Sequence, residues 1–184
     1  MIQECKTLQG TAIPGIPGRL AVTLAPDCAR LVLRLRPEGR AAAGTALGLT
    51  LPDRFGEVDE SGERLAICLG PDEWFVLLPE CEAAAADERM AATATSPFSL
   101  VDVSHREVGI AVCGPAATLA LSSFCAFDLE SMPAGSATRT ILDRAPAVLV
   151  KHDAERYRIE VWQSFADHVW SLLAAVSREI ALDI

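Results

Sequence analysis

Two short apolar runs with only four residues between them are the feature that most constrains the fold of this chain. The runs cover Leu65–Leu69 and Trp74–Leu78, and Gly70-Pro71-Asp72-Glu73 connects them. Proline favours the second position of a type I or II turn, so this segment is predicted to be a β-hairpin. The two strands of a hairpin pair antiparallel, whereas parallel strands need a long crossover between them. The chain is therefore expected to contain an antiparallel sheet.

Short strands and short helices alternate through the rest of the chain. Alternating apolar residues and flanking turn residues predict further strands over 29–36, 98–103, 108–113, 137–143, 148–151 and 156–162. Good helix formers and helix-start signals predict helices over 40–48, 81–92, 114–123 and 164–182. The order is then β-α-β-β-α-β followed by β-α-β-β-β-α, and the first of these is the ferredoxin-like order. We predict an α+β fold of two ferredoxin-like βαββαβ-type halves with antiparallel sheets.

The N-terminal segment has a different character. Ile13-Pro14-Gly15-Ile16-Pro17-Gly18 cannot form a helix, because each proline lacks a donor and extends the residue before it. Residues 1–27 are therefore predicted to be an extended arm that lies on its own domain or on a partner. Residues 28–104 and 105–184 are expected to be the two α+β halves, packed as one compact unit.

The last predicted helix places one tryptophan at the border of its apolar face. Ser164 is predicted to be the N-cap, with Asp167 as its acidic partner three residues later. The apolar stripe is predicted to contain Phe165, Val169, Leu172, Val176 and Ile180. Trp170 lies about 140° from Phe165 around the helix, outside that stripe. Trp170 is either covered by the arm or anchors a partner subunit, since tryptophan is enriched among interface hot spots.

Composition excludes several classes of function. Sixteen basic and 25 acidic residues give a net charge of −9, so nucleic acid and anionic membrane surfaces are not expected partners. No apolar run is long enough to span a bilayer, and the start of the sequence does not have the pattern of a signal peptide. A cytoplasmic location is expected. The six cysteines, including Cys5, are then expected to be free thiols that mostly act as small buried hydrophobic residues.

No group of residues has the spacing of a catalytic, cofactor-binding or metal site. Asp102, Ser104 and His105 are the residue types of a hydrolase triad, but a strand would point His105 away from the other two. Asp102 and Ser104 are expected to bond local backbone instead. His168 is expected to be an ordinary flank residue, and Asp72 and Glu73 are expected to serve the hairpin turn. Glycine-rich phosphate loops are absent from the sequence.

Several runs, in order and at similar spacing, resemble the gamma subunits of heterotetrameric sarcosine oxidases. The similarity covers roughly residues 20 to 180, and the family is itself similar to the folate-binding aminomethyltransferases of glycine cleavage. The runs that carry it are Leu69-Gly70-Pro71-Asp72-Glu73-Trp74, Val101-Asp-Val-Ser-His-Arg106, Val112-Cys-Gly-Pro-Ala-Ala117, Cys125-Ala-Phe-Asp128-Leu129, Arg139-Thr140 and Val161-Trp-Gln-Ser164-Phe165-Ala166.

The resemblance implies a non-catalytic subunit of a bacterial flavoenzyme. Such a complex demethylates sarcosine oxidatively to glycine and produces hydrogen peroxide, and its one-carbon unit passes to tetrahydrofolate or leaves as formaldehyde. FAD, FMN and NAD would belong to the larger alpha and beta subunits, and alpha, beta and delta subunits would be the partners. Two alternatives stay open: a stand-alone folate-binding, aminomethyltransferase-like one-carbon protein, and a homo-oligomeric binding module.

Overall fold

The computed structural model describes residues 13–183, which fall into two compact units. The inserted unit contains residues 26–105 and 135–138, and the split unit contains residues 13–25, 106–134 and 139–183. The strands are β1 (Ala21–Leu24), β2 (Ala29–Leu35), β3 (Val58–Ser61), β4 (Arg64–Gly70), β5 (Glu73–Leu78), β6 (Phe98–Asp102), β7 (Glu107–Cys113), β8 (Ser136–Leu142), β9 (Ala145–Lys151) and β10 (Arg156–Trp162). The helices are α1 (Arg40–Leu47), α2 (Ala83–Thr93), α3 (Ala117–Ser122) and α4 (Gln163–Ala181).

The inserted unit is built on a five-stranded antiparallel sheet in the order β3-β4-β5-β2-β6. The predicted hairpin is confirmed as β4 and β5, which pair from Leu65 opposite Leu77 to Cys68 opposite Trp74. The core contains β2, β5 and the inward faces of α1 and α2, with Leu33 and Trp74 among its largest buried side chains. The unit therefore has the ferredoxin-like arrangement, in which the first strand of the motif lies between two later ones.

The end of α1 shows how the sequence sets a helix boundary in this unit. Gly48 follows the helix with φ 69°, and its N–H bonds to the carbonyl of Thr45. A residue with a side chain rarely adopts this left-handed conformation, so glycine here stops the helix at the predicted place. Residues 52–62 are polar and rich in turn residues, a pattern that predicts a loop. This prediction is wrong for Val58–Ser61, which forms edge strand β3 on β4.

The split unit has a second five-stranded sheet in the order β1-β7-β10-β9-β8. Its core contains the inward residues of β7, β9 and β10 together with α3 and α4. Strand β1 pairs antiparallel with β7, with Val22 opposite Val112. The described part of the predicted arm thus lies on its own unit, and Ile13, Leu20 and Val22 belong to the core. The predicted fold class, α+β with two ferredoxin-like halves and antiparallel sheets, is confirmed.

The N-cap of helix α4 lies two residues earlier than predicted, and the buried face of the helix is rotated relative to the predicted apolar stripe. Trp162 is the N-cap residue and makes no side-chain cap, so the predicted Ser164 cap is wrong. Strand β10 ends at Trp162 and the helix begins at Gln163, with no connecting residue between them. Ser164 therefore lies inside the first turn of the helix and cannot be its N-cap. The buried face comprises Ala166, Val169, Leu173, Val176, Ser177 and Ile180. At 100° per residue this face is centred about 50° nearer to Trp170 than the predicted stripe.

In the described part of the chain, no helix is both long and apolar enough to cross a membrane. Five cysteines are described, and all are free thiols. Cys68 and Cys125 are buried and Cys28 and Cys113 are half-buried, but Cys81 is exposed. Burial raises the pKa of the Cys68 thiol. Cys5 lies outside the described residues.

Candidate functional site

The triad-type residues at the end of β6 make a structural contact. The Ser104 hydroxyl donates to Asp102 Oδ1 at 2.5 Å, and the Ser104 N–H donates to the same oxygen at 2.8 Å. The Arg30 N–H in turn donates to Ser104 Oγ at 2.9 Å. Within the described residues, His105 is exposed and forms no hydrogen bond to either side chain. The prediction that Asp102 bonds local backbone agrees with its contact to the Ser104 N–H. The prediction is wrong for Ser104, whose hydroxyl bonds the Asp102 carboxylate and the N–H of Arg30, a residue distant in sequence.

His168 is tied to the β8–β9 turn, which its position in the sequence did not predict. Its Nε2 donates to Asp143 Oδ2 at 2.8 Å, and this bond holds the pKa of the Asp143 carboxyl below its usual value. Asp143 occupies the two-residue turn with φ 55°. The hydrogen bond between His168 and Asp143 links α4 to the β8–β9 turn. Because the two residues lie far apart in the sequence, no local pattern predicts this contact.

Asp72 and Glu73 serve the hairpin, as predicted. Arg34 on the neighbouring strand β2 reaches both carboxylates, with nitrogen–oxygen distances of 3.2 Å to Asp72 and 2.7 Å to Glu73. The three side chains form a small ion-pair cluster at the turn. In the part of the chain that the structure describes, no group of three His, Cys, Asp or Glu residues is arranged to hold a metal ion.

Trp170 borders a cavity in the split unit. The tryptophan is half-buried and packs against the core, and the cavity beside it has a volume of about 620 Å³. The N-terminal segment forms one side of this space through Ile13, Pro14, Ile16 and Pro17, and α4 forms the other. The Trp170 cavity is mainly apolar, and among the described residues that line it Arg178 is the one charged residue. The described part of the arm thus lies on one side of the apolar cavity beside Trp170.

A cluster of two aromatic side chains and an arginine lies where β10 ends and α4 begins. We call Arg106, Trp162 and Phe165 the aromatic patch. The Arg106 guanidinium lies 5.5 Å from the centroid of the Trp162 ring, and the Phe165 ring centroid lies 6.4 Å away at 45°. Trp162 is 45% exposed, although it is one of only three tryptophans. Two runs that carry the family resemblance, one ending at Arg106 and one containing Trp162, therefore meet at one surface.

Sequence reasoning missed the aromatic patch, although one signal was available. In β10, Tyr157, Ile159 and Val161 share the core face, and alternation places Trp162 on the other side. A tryptophan on the polar face of a strand needs an explanation other than core packing. Its neighbour Arg106 could not be assigned, because the pairing of Trp162 with Glu107 is a long-range contact.

Comparison with protein families gives one match over most of the chain. The sequence model of the sarcosine oxidase, gamma subunit family matches residues 35–179. The sarcosine oxidase subunit gamma of Corynebacterium sp. (strain U-96) is 34% identical over 178 residues, which are 92% of this chain and 86% of that protein. The subunit gamma of an Arthrobacter species is 32% identical over 146 residues, 78% of this chain and 71% of that protein.

Two solved structures share the fold. A chain of heterotetrameric sarcosine oxidase from Corynebacterium sp. U-96, in complex with pyrrole 2-carboxylate, matches with a TM-score of 0.82 at 28% identity. The match covers 91% of this chain and 89% of that one. The glycine cleavage system aminomethyltransferase T of Bartonella henselae matches with a TM-score of 0.63 at 10% identity, over 85% of this chain and 45% of that one. The second likeness is one of fold alone.

Proposed function

Because the chain belongs to the sarcosine oxidase gamma subunit family, we propose that it is a non-catalytic subunit of a heterotetrameric sarcosine oxidase. The complex would demethylate sarcosine oxidatively to glycine and produce hydrogen peroxide, with the one-carbon unit passed to tetrahydrofolate or released as formaldehyde. The observation that carries the proposal is the match over 91% of this chain to a chain of such a heterotetramer. Alpha, beta and delta subunits would be the partners, in the cytoplasm.

The residues of this chain support a role without bound cofactor. In the part of the chain that the structure describes, the Trp170 cavity has one charged lining residue, Arg178, and a single cation is a poor match for the diphosphate of a dinucleotide. Two of the described polar side chains that a catalytic site could use are hydrogen-bonded within the chain, Ser104 to Asp102 and His168 to Asp143. FAD, FMN, NAD and tetrahydrofolate would accordingly be bound by the rest of the complex.

The isolated chain is expected to be colourless and to produce no peroxide from sarcosine. Side chains alone offer no route for taking a hydride from an N-methyl amine. The measurements are the visible spectrum after gel filtration and a peroxide assay with sarcosine, and the complete complex is the positive control. A flavin band that stays with the pure chain, or peroxide formed in its presence alone, would contradict the non-catalytic assignment. Failure of the chain to co-purify with the other subunits would contradict its place in the complex.

We further propose that Trp170 anchors a partner subunit through the cavity beside it. Truncating an interface hot spot costs about 2 kcal/mol or more, so Trp170→Ala is expected to weaken assembly about thirtyfold. The isolated variant stays folded with a thermal midpoint close to that of the parent, because the ring is only half-buried. Co-purification with the large subunits is measured beside a thermal melt.

The conservative variant Trp170→Phe is the matched control, since it keeps an aromatic ring against the core. It is expected to melt like the parent and to assemble better than Trp170→Ala. If Trp170→Ala assembles normally, or melts far below the parent, Trp170 is not a partner anchor and serves only to cover the core beneath the N-terminal segment.

A further inference from the structure

We propose that the aromatic patch formed by Arg106, Trp162 and Phe165 is a docking site for another subunit of the heterotetramer. The partner would present an apolar side chain to Trp162 and a carboxylate to Arg106. This inference rests on the proposed function, because it takes the partner to be a different chain of the same complex. It assigns a surface at the start of α4, separate from the cavity beside Trp170.

The exposure of Trp162 is the first observation. Trp74 is 2% exposed and lies in a core, whereas Trp162 is 45% exposed and lies at the end of β10. Leaving a large apolar ring in water forfeits the favourable free energy of its burial. Tryptophan and arginine are also two of the residue types most enriched at interface hot spots. A subunit that must assemble can recover this free energy by burying the ring under a partner.

The patch is already ordered in the isolated chain. Residue Trp162 pairs with Glu107 across the sheet, so its backbone is fixed. The Arg106 guanidinium lies over the ring at 5.5 Å, and Phe165 packs beside it at 6.4 Å. A side chain that is held in place before binding loses less conformational entropy when the partner arrives. The patch therefore meets the requirement of a preformed docking site.

Charge defines the chemistry of the partner. Arg106 is bonded to the Glu107 carboxylate at 2.7 Å, but the Glu107 side chain is 6% exposed and that of Arg106 is 49% exposed. The charge that the surface presents is thus the guanidinium, which has donors to spare beyond the one engaged by Glu107. A carboxylate accepts from a guanidinium through strong, directional hydrogen bonds. An acidic side chain next to an apolar one would satisfy both parts of the patch.

A second copy of this chain is a poorer occupant. A two-fold dimer whose axis passes through the patch would place the exposed Arg106 guanidinium near that of the other copy. Like charges placed opposite each other cost free energy unless an anion separates them. The patch is better matched by a different subunit than by itself.

The test uses the complex, with the tagged chain co-expressed with the other subunits of its sarcosine oxidase. Trp162→Ala and Arg106→Glu are each expected to lower the amount of large subunit that co-purifies by at least tenfold. The isolated Trp162→Ala variant should melt close to the parent, because the ring is 45% exposed. Arg106→Glu removes a partner of the buried Glu107 carboxylate, so its assembly is scored only on protein that a thermal melt shows to be folded. Leu119→Ala is the matched control, since Leu119 is an exposed apolar residue of α3 in the same unit and is 61% exposed.

The outcomes separate the patch from the function on which it rests. If the parent and Leu119→Ala assemble while Trp162→Ala and Arg106→Glu do not, the docking site is supported. If both patch variants assemble like the parent, the docking site is overturned and the proposed function stands. If the parent itself does not assemble, both fail. Sedimentation of the isolated chain gives a further test, because a dimer that Trp162→Ala abolishes would make the patch a contact between copies and overturn the proposal.

Discussion

Gly114→Ala is expected to destabilise the protein by about 3–5 kcal/mol, one of the two largest effects we predict for a single substitution. Gly114 has φ 117°, which a residue with a side chain rarely adopts. A Cβ atom at this position would lie 2.4 Å from the carbonyl oxygen of Arg19, far inside contact distance. That oxygen cannot move away freely, because it accepts a hydrogen bond from the Ala116 N–H at 3.0 Å. The loss is measured by urea unfolding followed by far-UV circular dichroism.

Gly18→Ala is the control that separates backbone conformation from crowding. Gly18 lies in the same unit with φ 71°, but a Cβ atom there would meet nothing within 4 Å. Its substitution should cost only the strain of the left-handed conformation, about 1–2 kcal/mol. Equal losses for the two variants would show that the contact with Arg19 contributes nothing.

Trp74→Ala is expected to cost about 4–6 kcal/mol in the inserted unit. The ring is 2% exposed, so its removal leaves a large cavity in the core. Its indole N–H also donates to the Pro52 carbonyl at 2.8 Å, and the substitution leaves that buried acceptor without its donor. We expect the loss as a lower urea midpoint by far-UV circular dichroism, which does not depend on the tryptophan as a fluorophore.

Trp74→Phe divides this effect into its parts. Phenylalanine keeps an aromatic ring in the core but has no N–H, so the variant should lose about 1–3 kcal/mol for the unpaired Pro52 carbonyl and the smaller ring. If Trp74→Phe were as unstable as Trp74→Ala, packing of the ring would not be the main contribution. If Trp74→Ala unfolded at the same urea concentration as the parent, the core position of this residue would be wrong.

Local patterns were sufficient for most of the secondary structure. The hairpin of β4 and β5 follows from one proline-containing turn between two apolar runs, and α1 ends where Gly48 permits it. Such signals act between residues close in sequence, where the backbone itself sets the preference. The local patterns failed where hydrogen bonding to a neighbouring strand stabilises the element. The polar segment Val58–Ser61 forms a strand because β4 offers it hydrogen-bonding partners.

Prediction of the two candidate surfaces depended on long-range contacts even more than prediction of the secondary structure did. Trp170 could be identified as a border residue from helical periodicity alone, although the rotation of α4 placed it closer to the core than expected. The aromatic patch joins Arg106 to Trp162 through the pairing of β7 with β10. No spacing in the sequence encodes that register. Sequence periodicity thus located one of the two surfaces and missed the other.

The position of β1 has a consequence for the order in which this protein can fold. Among the described strands, β1 pairs only with β7, and almost the whole inserted unit lies between these two strands in the chain. On a ribosome, residues 26–105 emerge and can collapse into their own core before β7 exists. Until then Ala21–Leu24 has no strand to pair with. Pairing β1 with β7 closes the long loop of chain between them, and the entropic cost of that closure slows the pairing. Synthesis from the N-terminus therefore favours early folding of the inserted unit and late completion of the split unit.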